Sequence, residues 1–475
     1  MSLSFRDVDS KRKLLTIVFG SGARLFALAS QFGILVLLSW TLTKGELGDM
    51  LMVLTTYRML SFALGSGIGA VLLYHVARAG GGKVAGARLH RTALVIGLLS
   101  ILLFVLPLVI FRTEVATLFQ KPSITDWLLD FAPFAVVSTL SYVTMGDMDG
   151  QSRITSAITM TEVIPNVIRL LSLPFFIISN IPVTYIAGVF WISVLVPWAF
   201  QIIYLLKNLR DGFAGFTMWD YRYATFSAIN SVATAQLQGI DLLIAGYLFP
   251  SEAVASYAVA SRIAALYPFF QQIMLRNFAP RVGNLLSSRN FDKLNSELTT
   301  TKMWSMIAIA GLSGLIILTS PLVLLIMGDF LQAIPIMCVL AAPAAIRTIY
   351  AGNDVILRMT GRAGFNLTIS TLAVCIVVAA AIILNDLVGI YAIPLGMLFS
   401  SIFLNPITAL FLHRRGIKIV NFRDVPIILL CLLSIVLGLL ADDPFLTSII
   451  TGCGLCATAM WVAIYARRNN QRIGK

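Results

Sequence analysis

Gln236–Pro268 reads QLQGIDLLIAGYLFPSEAVASYAVASRIAALYP, two largely apolar runs joined by a short turn that begins at Pro250. With its flanking residues, each run is long enough for a membrane-spanning helix, which needs about 20 mostly apolar residues. Each run nevertheless carries a charge, Asp241 in the first and Arg262 in the second. Charges within a bilayer are costly and usually face a bundle interior or a water-filled cavity. The stretch therefore predicts a helical hairpin in a membrane protein with a polar interior.

The whole chain has the composition of this stretch. Hydrophobic residues make up 58% of the 475 residues and charged residues 12%, and the mean hydropathy is +0.89. Soluble proteins carry about 25% charged residues. The sequence therefore predicts an all-α polytopic membrane protein with about 14 transmembrane helices. The predicted segments are 14–41, 49–76, 92–112, 126–146, 154–178, 183–206, 224–249, 253–279, 303–327, 331–352, 367–385, 388–412, 425–441 and 445–466.

The net charge is +13, and the basic residues responsible for it are distributed according to the predicted topology. Lysine and arginine concentrate in alternate loops and at both ends of the chain, whereas the intervening loops carry only Lys44, Arg112 and Lys121. Cytoplasmic loops of membrane proteins carry such an excess. The pattern predicts a multi-pass protein with both termini in the cytoplasm. It explains the positive charge without nucleic acid and leaves contact with anionic membrane lipids as a further role.

Several arginines lie inside the predicted spans, and three of them lie deep. Arg24, Arg58 and Arg262 are about ten residues, or roughly 15 Å, from the nearest span end. A guanidinium is permanently charged and matches phosphate oxygens with two hydrogen bonds. The sequence thus predicts a cavity for an anionic substrate, with structural ion pairing as the alternative. The predicted substrate-binding residues are Arg24, Arg58, Arg262, Arg169, Arg347, Gln31, Gln238 and Asn230.

Intramembrane acids are fewer than these arginines. Asp241 and Glu162 are candidates to bind a coupling ion, H⁺ or Na⁺, and a salt bridge between helices is the alternative for each. Glu162 and Arg169 are seven residues apart, which predicts one helix face and a shared network. Segment 224–249 carries a polar stripe that predicts either a cavity wall or contacts between helices. The stripe consists of Ser227, Asn230, Ser231, Thr234, Gln238 and Asp241.

Two regions resemble a known family. GIDLLIAGYLFPSEAVASYAVASRIA, followed by RNFAPRVGNLLSSRNFDKL, resembles the start of the second half of polysaccharide transporters, and LTKGELGDMLMVLTTYRML is similar to the corresponding turn of the first half. This family, which includes O-antigen (Wzx-type) flippases, belongs to the multidrug/oligosaccharidyl-lipid/polysaccharide exporter (MOP) superfamily. The resemblance implies two pseudo-symmetric six-helix lobes around a central cavity, with two extra C-terminal helices. The implied parts are 1–206 (N-terminal lobe), 207–223 (cytoplasmic linker), 224–412 (C-terminal lobe) and 413–475 (last two helices and tail).

The resemblance also implies a function. The expected substrate is an undecaprenyl-pyrophosphate-linked oligosaccharide, moved by alternating access from the inner to the outer leaflet of the bacterial cytoplasmic (inner) membrane. Polysaccharide polymerases are then expected partners in polysaccharide biosynthesis. An excess of deep arginine agrees with a pyrophosphate substrate. As in the rest of the family, sequence similarity is low, so cavity arginines cannot be assigned by position.

Two other functions are alternatives. A multidrug or toxin exporter of the same superfamily would favour cationic cargo, which the excess of deep arginine disfavours. A membrane enzyme would need a large outer loop with reactive groups, and none is present in the sequence. His75, His90 and His413 lie apart at span ends and do not form a ligand set. The sequence predicts no enzyme activity, cofactor or metal site, and it assigns Cys453 and Cys456 to helix packing.

Overall fold

The computed structural model describes most of the chain. The described residues are 22, 26–27, 29–78, 83–151, 153–179, 182, 185–206, 215–234, 239–288, 290–328, 330–360, 363–417, 419, 424–441 and 443–473. Nearly all of them are helical, and the described part contains no strand. The predicted all-α polytopic fold is therefore confirmed.

Two compact units divide the chain, Met1–Tyr247 and Leu248–Lys475. The helices of the first are α1 (Ala29–Thr41), α2 (Lys44–Arg78), α3 (Lys83–Ile110), α4 (Arg112–Leu118), α5 (Ile124–Asp130), α6 (Ala132–Gly150), α7 (Ile154–Ile158), a π-helical turn (Thr159–Val163), α8 (Ile164–Ile178), α9 (Ile186–Leu206), α10 (Met218–Thr234) and most of α11 (Ile240–Leu248). The helices of the second are α12 (Ser251–Ala264), α13 (Phe269–Ser287), α14 (Phe291–Ile326), α15 (Ala333–Ile349), α16 (Asn353–Met359), α17 (Ala363–Val388), α18 (Ala392–His413), α19 (Val425–Leu439) and α20 (Pro444–Ile473).

Each predicted apolar segment contains helix in the described residues. By length and composition, seven described helices could cross a membrane, or eight if the bent pair α5–α6 counts as one span. Three shorter apolar helices, α1, α15 and α19, add to these. Other predicted spans miss this criterion because they are broken within the membrane segment. These broken spans position the candidate site.

Two spans that the sequence predicts as single helices are interrupted. Segment 224–249 consists of α10 and α11, and segment 253–279 consists of α12 and α13. The second interruption precedes Pro268, whose ring nitrogen has no hydrogen to donate to a helix. The predictions of continuous helices are therefore wrong in both places. In the hydrocarbon, an interrupted helix needs other groups or water to satisfy its free backbone amides and carbonyls.

Small residues let α2 and α6 approach each other closely. A Cβ atom at Gly65 would lie 2.7 Å from the carbonyl oxygen of Thr139, and one at Gly146 would overlap the backbone of Gly69. The GSGIGA stretch that contains Gly65 and Gly69 is thus a packing surface, as its place inside a span predicts. Such glycines allow backbone contact where larger side chains would separate the helices.

The last two helices pack onto the rest of the second unit. A Cβ atom at Gly314 of α14 would lie 2.8 Å from both Cys456 Sγ and the carbonyl oxygen of Gly452 on α20. Cys453 and Cys456 are free thiols, so CGLC is part of a helix contact. Lys302, almost completely buried on α14, donates a 2.6 Å hydrogen bond to Asp424 just before α19. Helices α19 and α20 are therefore anchored to the unit through α14.

The compact units do not follow the lobes implied by the family resemblance. The resemblance assigns α10 to a C-terminal lobe of 224–412, whereas α10 belongs to the compact unit Met1–Tyr247. The reason is that α10 packs along α2, where a Cβ atom at Gly67 would lie 2.6 Å from the carbonyl oxygen of Ala224. The division into lobes at 207–223 stays a prediction.

Candidate functional site

Arg58 lies near the middle of α2, and its side chain is exposed. The neighbouring side chains on other faces of the same turn are packed: Tyr57 donates a 2.7 Å hydrogen bond to the carbonyl of Leu128, and Ser61 donates one of 2.9 Å to that of Ala135. No hydrogen bond or ion pair joins the Arg58 side chain to a residue that the structure describes. A guanidinium at this depth requires a polar neighbour, and none of the described residues supplies one through a hydrogen bond or ion pair.

The interruption between α10 and α11 lies beside this turn of α2. A Cβ atom at Gly239, just before α11, would lie 2.5 Å from the Thr55 methyl carbon, three residues from Arg58. On the far side of the interruption, Ser66 donates a 3.0 Å hydrogen bond to Ser231 of α10. Gly239 and Ser231 thus contact α2 at Thr55 and Ser66, on either side of Arg58.

An interruption at this depth concentrates polar groups beside Arg58. The first turn of α11, which follows the non-helical Gly239, leaves backbone amides without partners inside the helix. The N-terminal end of a helix carries partial positive charge, and its amides bind anions. Asp241 lies buried in the first turn of α11, where this charge favours a carboxylate. The turn of α2 that carries Arg58 and the start of α11, whose first turn holds Asp241, thus meet at Thr55 and Gly239 within unit 1, and we take this region as the candidate site.

The predicted polar stripe includes a contact between two helices. Ser231 contacts Ser66 of α2, so this member of the stripe joins two helices. The helix that carries the stripe is also broken at Gly239, which is a turn residue just before α11. The side chains of Asn230 and Gln238 lie outside the described residues, although the backbone of Asn230 belongs to α10.

Arg169 has a different environment from Arg58. Its Nε donates a 2.8 Å hydrogen bond to Ser193 Oγ, and its Nη1 donates one of 3.4 Å to Asn166 Oδ1. The guanidinium carbon lies 4.7 Å from the centre of the Phe190 ring, in cation–π geometry. These contacts join α8 to α9. They favour the structural role that the sequence left open for Arg169.

Glu162 is half-buried in the π-helical turn Thr159–Val163 and makes no side-chain hydrogen bond or ion pair with a described residue. The Glu162 side chain thus makes no hydrogen bond or ion pair with Arg169, whose link to Glu162 runs through Asn166 to the Glu162 backbone carbonyl. A π-helical turn adds one residue to the helix, so the helix before the turn is rotated by about 100° relative to the helix after it. Seven residues across this turn no longer place two side chains on one face. Nearby Asn166 instead donates a 2.8 Å hydrogen bond to the carbonyl of Glu162.

The other predicted residues lie in several places. Gln31 is half-buried on α1, and Arg262 is half-buried in the last turn of α12. Arg347 Nε donates a 3.4 Å hydrogen bond to Ser401 Oγ within the second unit. Arg24 lies outside the described residues. Among the described side chains, no group of three or more His, Cys, Asp and Glu residues could hold a metal ion.

Two histidine–aspartate pairs lie at the end of unit 1 that the sequence assigns to the cytoplasm. His75 Nε2 of α2 lies 2.6 Å from Asp220 Oδ1 of α10, and His90 Nδ1 of α3 lies 3.2 Å from Asp147 Oδ2 of α6. The sequence does not reveal either pair, because the partners are far apart in the chain. The spacing of Thr217 and Asp220, a helix-capping pattern, was the one available signal.

Asp220 is fixed by two sets of contacts. Its Oδ2 accepts hydrogen bonds from the backbone nitrogen and the hydroxyl of Thr217, at 2.8 Å and 2.7 Å, while Oδ1 contacts His75. Burial raises the pKa of this carboxyl, but the hydrogen bonds from His75 and Thr217 outweigh it and hold the pKa below its ordinary value. The Asp220 carboxyl, at the start of α10, therefore stays negatively charged.

Comparison with known proteins gives a fold and no family. No family model and no curated protein matches the sequence. The structure is similar to that of the lipid II flippase MurJ in an inward closed conformation, with TM-score 0.71 and 15% identity over 95% of this chain and 99% of that one. It is also similar to an inward-facing multidrug resistance MATE family transporter of the MOP superfamily, with TM-score 0.70 and 15% identity over 83% and 94% of the two chains.

A third solved structure has the same fold. It is a MOP superfamily transporter from Pyrococcus furiosus, described as having a binding pocket of reverse polarity that suggests a different function. Its TM-score is 0.56, with 15% identity over 84% of this chain and 95% of that one. These neighbours are transporters and flippases, and this chain shares their fold.

Proposed function

We propose that this protein is a flippase that moves a lipid-linked oligosaccharide, carried on a polyprenyl pyrophosphate, from the inner to the outer leaflet of a bacterial cytoplasmic membrane. The pyrophosphate binds in the polar region beside Arg58, and the lipid tail stays in the bilayer. Alternating access carries the headgroup across. Both termini lie in the cytoplasm, and polysaccharide polymerases use the product.

The exposed guanidinium of Arg58 is the observation that carries this proposal. A charged side chain near the centre of a membrane helix is strongly disfavoured unless another polar group meets it. Other groups in the same turn of α2 are satisfied by α5 and α6, whereas Arg58 has no partner among the described residues. A pyrophosphate supplies the missing charge and accepts hydrogen bonds from the guanidinium.

The interrupted helix supports the same position for the site. In membrane transporters, discontinuous helices form substrate sites near the bilayer midplane, and N-terminal helix ends point at anionic groups. The N-terminal end of α11 begins one residue after Gly239, which contacts Thr55 of α2. The proposed site therefore combines the permanent positive charge of Arg58 with the N-terminal end of α11. Phosphate binding there needs no metal ion.

The neighbours of similar fold make a flippase and a multidrug exporter the two candidates. The lipid II flippase matches 95% of this chain and the multidrug transporter 83%. A third neighbour is described as having a binding pocket of reverse polarity, which supports the view that proteins of this fold carry different substrates. Arg58, which pairs with none of the described residues, opposes a cationic drug by charge repulsion, so we favour the flippase.

The remaining predicted residues take supporting roles in this proposal. Arg24, Arg262, Arg347, Gln31, Gln238 and Asn230 are further substrate contacts, and Asp241 and Glu162 are the carboxylates for H⁺ or Na⁺ coupling. Arg169 is a structural group because Ser193 and Phe190 already hold it.

Complementation of a bacterium that lacks its oligosaccharide flippase tests the proposal. We expect the wild-type gene to restore surface polysaccharide and Arg58→Gln to restore at least about tenfold less at equal membrane abundance. Arg222→Gln is the matched control, because Arg222 is an exposed arginine on α10 near the predicted cytoplasmic end. Drug resistance conferred by the wild-type gene without restored polysaccharide would favour the multidrug exporter instead.

A further inference from the structure

Two arginines follow the end of α18 on the side that the sequence assigns to the cytoplasm. Arg414 and Arg415 come directly after His413, the last residue of the helix, and both side chains are exposed. Neither guanidinium makes a hydrogen bond or an ion pair with a residue that the structure describes. The basic turn (Arg414–Gly416) therefore presents two permanent positive charges whose N–H donors are not used by the described residues.

The backbone of the basic turn is held in place by α14. Gly416, with a φ of +84°, reverses the chain, and its carbonyl accepts a 3.3 Å hydrogen bond from Asn295 Nδ2 of α14. The next residue, Ile417, is buried in one hydrophobic cluster with Leu294 and Leu298 of the same helix. The two arginines are therefore carried by a fixed backbone, so a ligand that binds them does not have to order the turn.

The Arg415 side chain is also positioned by aromatic rings. Its guanidinium carbon lies 4.6 Å from the centre of the Phe411 ring, in cation–π geometry. The Phe411 ring stacks in turn on that of Phe365 in α17, with centres 4.5 Å apart and planes inclined by 19°. Contact with a ring orients the cation without neutralising its charge. Arg415 is therefore an oriented guanidinium that still lacks a counter-charge among the described residues.

The position of the basic turn along α18 matches the headgroup layer of a bilayer. The exposed apolar residues of α18 include a stripe with spacings of three or four residues: Phe399, Phe403, Ile407 and Leu410. Arg414 continues this stripe four residues beyond Leu410, so it lies on the same face and about 6 Å farther along the helix. The headgroup layer on each side of the hydrocarbon is roughly 5–8 Å thick. The phosphates of lipids that cover the stripe are therefore level with the basic turn.

We propose that the basic turn binds the headgroup of an anionic phospholipid in the leaflet that faces the cytoplasm. The acyl chains of this lipid lie along the apolar stripe of α18, and its phosphate accepts hydrogen bonds from Arg414 and Arg415. A guanidinium suits this role because it matches phosphate oxygens with two parallel hydrogen bonds. Anionic lipids of the cytoplasmic leaflet attract basic groups at the membrane surface. The site lies in the second unit and shares no residue with the candidate substrate site in the first.

Lipid binding by the purified full-length protein tests the site. Native mass spectrometry counts the phospholipid molecules that the protein retains during titration with anionic phosphatidylglycerol or with zwitterionic phosphatidylethanolamine. We expect the apparent affinity for phosphatidylglycerol to fall about fivefold in Arg414→Gln and in Arg415→Gln, and further in the double variant. The affinity for phosphatidylethanolamine should not change. Inorganic phosphate at the same concentration should not displace phosphatidylglycerol, because it lacks the acyl chains that contact the stripe.

Arg222→Gln is the matched control, because it removes the same charge from another exposed arginine near the predicted cytoplasmic end. Its affinity for phosphatidylglycerol should remain close to that of the wild type. Equal losses in Arg222→Gln and Arg415→Gln would overturn the site, as would wild-type affinity in the double variant or displacement of the lipid by inorganic phosphate. This measurement uses no oligosaccharide lipid, so it stands or fails separately from the proposed flippase activity.

Discussion

Gly239 lies against Thr55 so closely that a Cβ atom at position 239 would be 2.5 Å from the Thr55 methyl carbon. This contact joins the start of α11 to the turn of α2 that carries Arg58. We expect Gly239→Ala to lower transport severalfold, because the added methyl group pushes the start of α11 away from α2.

A second substitution makes this prediction specific. Thr55→Ser removes the methyl carbon that the new Cβ would meet, so the double variant should recover much of the lost transport. A double-mutant cycle on transport rates measures the coupling, which we expect to exceed about 0.5 kcal/mol. Independent, additive effects would show that this contact does not shape the site.

Arg169 should affect stability more than Arg58 does. Arg169→Gln removes the hydrogen bond to Ser193 and the contact with the Phe190 ring, at a cost of about 2–4 kcal/mol. Arg58→Gln removes no contact with a described residue and should leave the unfolding temperature in detergent nearly unchanged. Equal loss of unfolding temperature in both variants would contradict the distinction between a structural and a substrate-binding arginine.

The α2–α6 contact should not tolerate a methyl group at Gly146. A Cβ atom there would overlap the backbone of Gly69, so Gly146→Ala requires the helices to move apart. We expect a loss of about 1–3 kcal/mol in the free energy of unfolding, read from thermal unfolding in detergent. Gly364→Ala is the control, because no atom lies within 4 Å of its added Cβ and its stability should not fall.

Because Lys302 is buried, we expect substitutions of the two partners in its ion pair to cost different amounts of stability. Asp424→Asn leaves an ammonium group buried without its counter-charge, which costs about 3–5 kcal/mol. Lys302→Met removes the buried charge and keeps an apolar side chain of similar length, so it should cost less. Unfolding temperatures of the two variants check this order, and a larger loss in Lys302→Met would contradict it.

Hydropathy predicted much of the fold, since the positions of the helices follow from apolar segments separated by turns. It could not predict the interruptions at Gly239 and between Ala264 and Phe269, because apolar residues continue on both sides of each. Local composition shows whether a segment is apolar enough to lie in a lipid bilayer. Whether its helix is continuous depends on the partners that satisfy its backbone.

The spacing of residues in the sequence predicted less of the candidate site than hydropathy predicted of the fold. Arg58 is accessible, as its depth in α2 suggested, but Arg169 at similar depth is held by Ser193 and Phe190. The sequence cannot separate these two cases, because the partners of Arg169 lie on another helix. The π-helical turn at Glu162 is a further example, since one additional residue changes which side chains share a face.

The most direct test of the central claim is the rate at which the purified protein moves a fluorescent, pyrophosphate-linked oligosaccharide lipid across proteoliposomes. We predict that Arg58→Gln slows this transfer at least about tenfold, and that Arg58→Lys, which keeps the charge, slows it less. A lipid with the same tail and an uncharged headgroup should not distinguish the variants. Transfer of the pyrophosphate lipid by Arg58→Gln at the wild-type rate, in a correctly folded protein, would contradict the account.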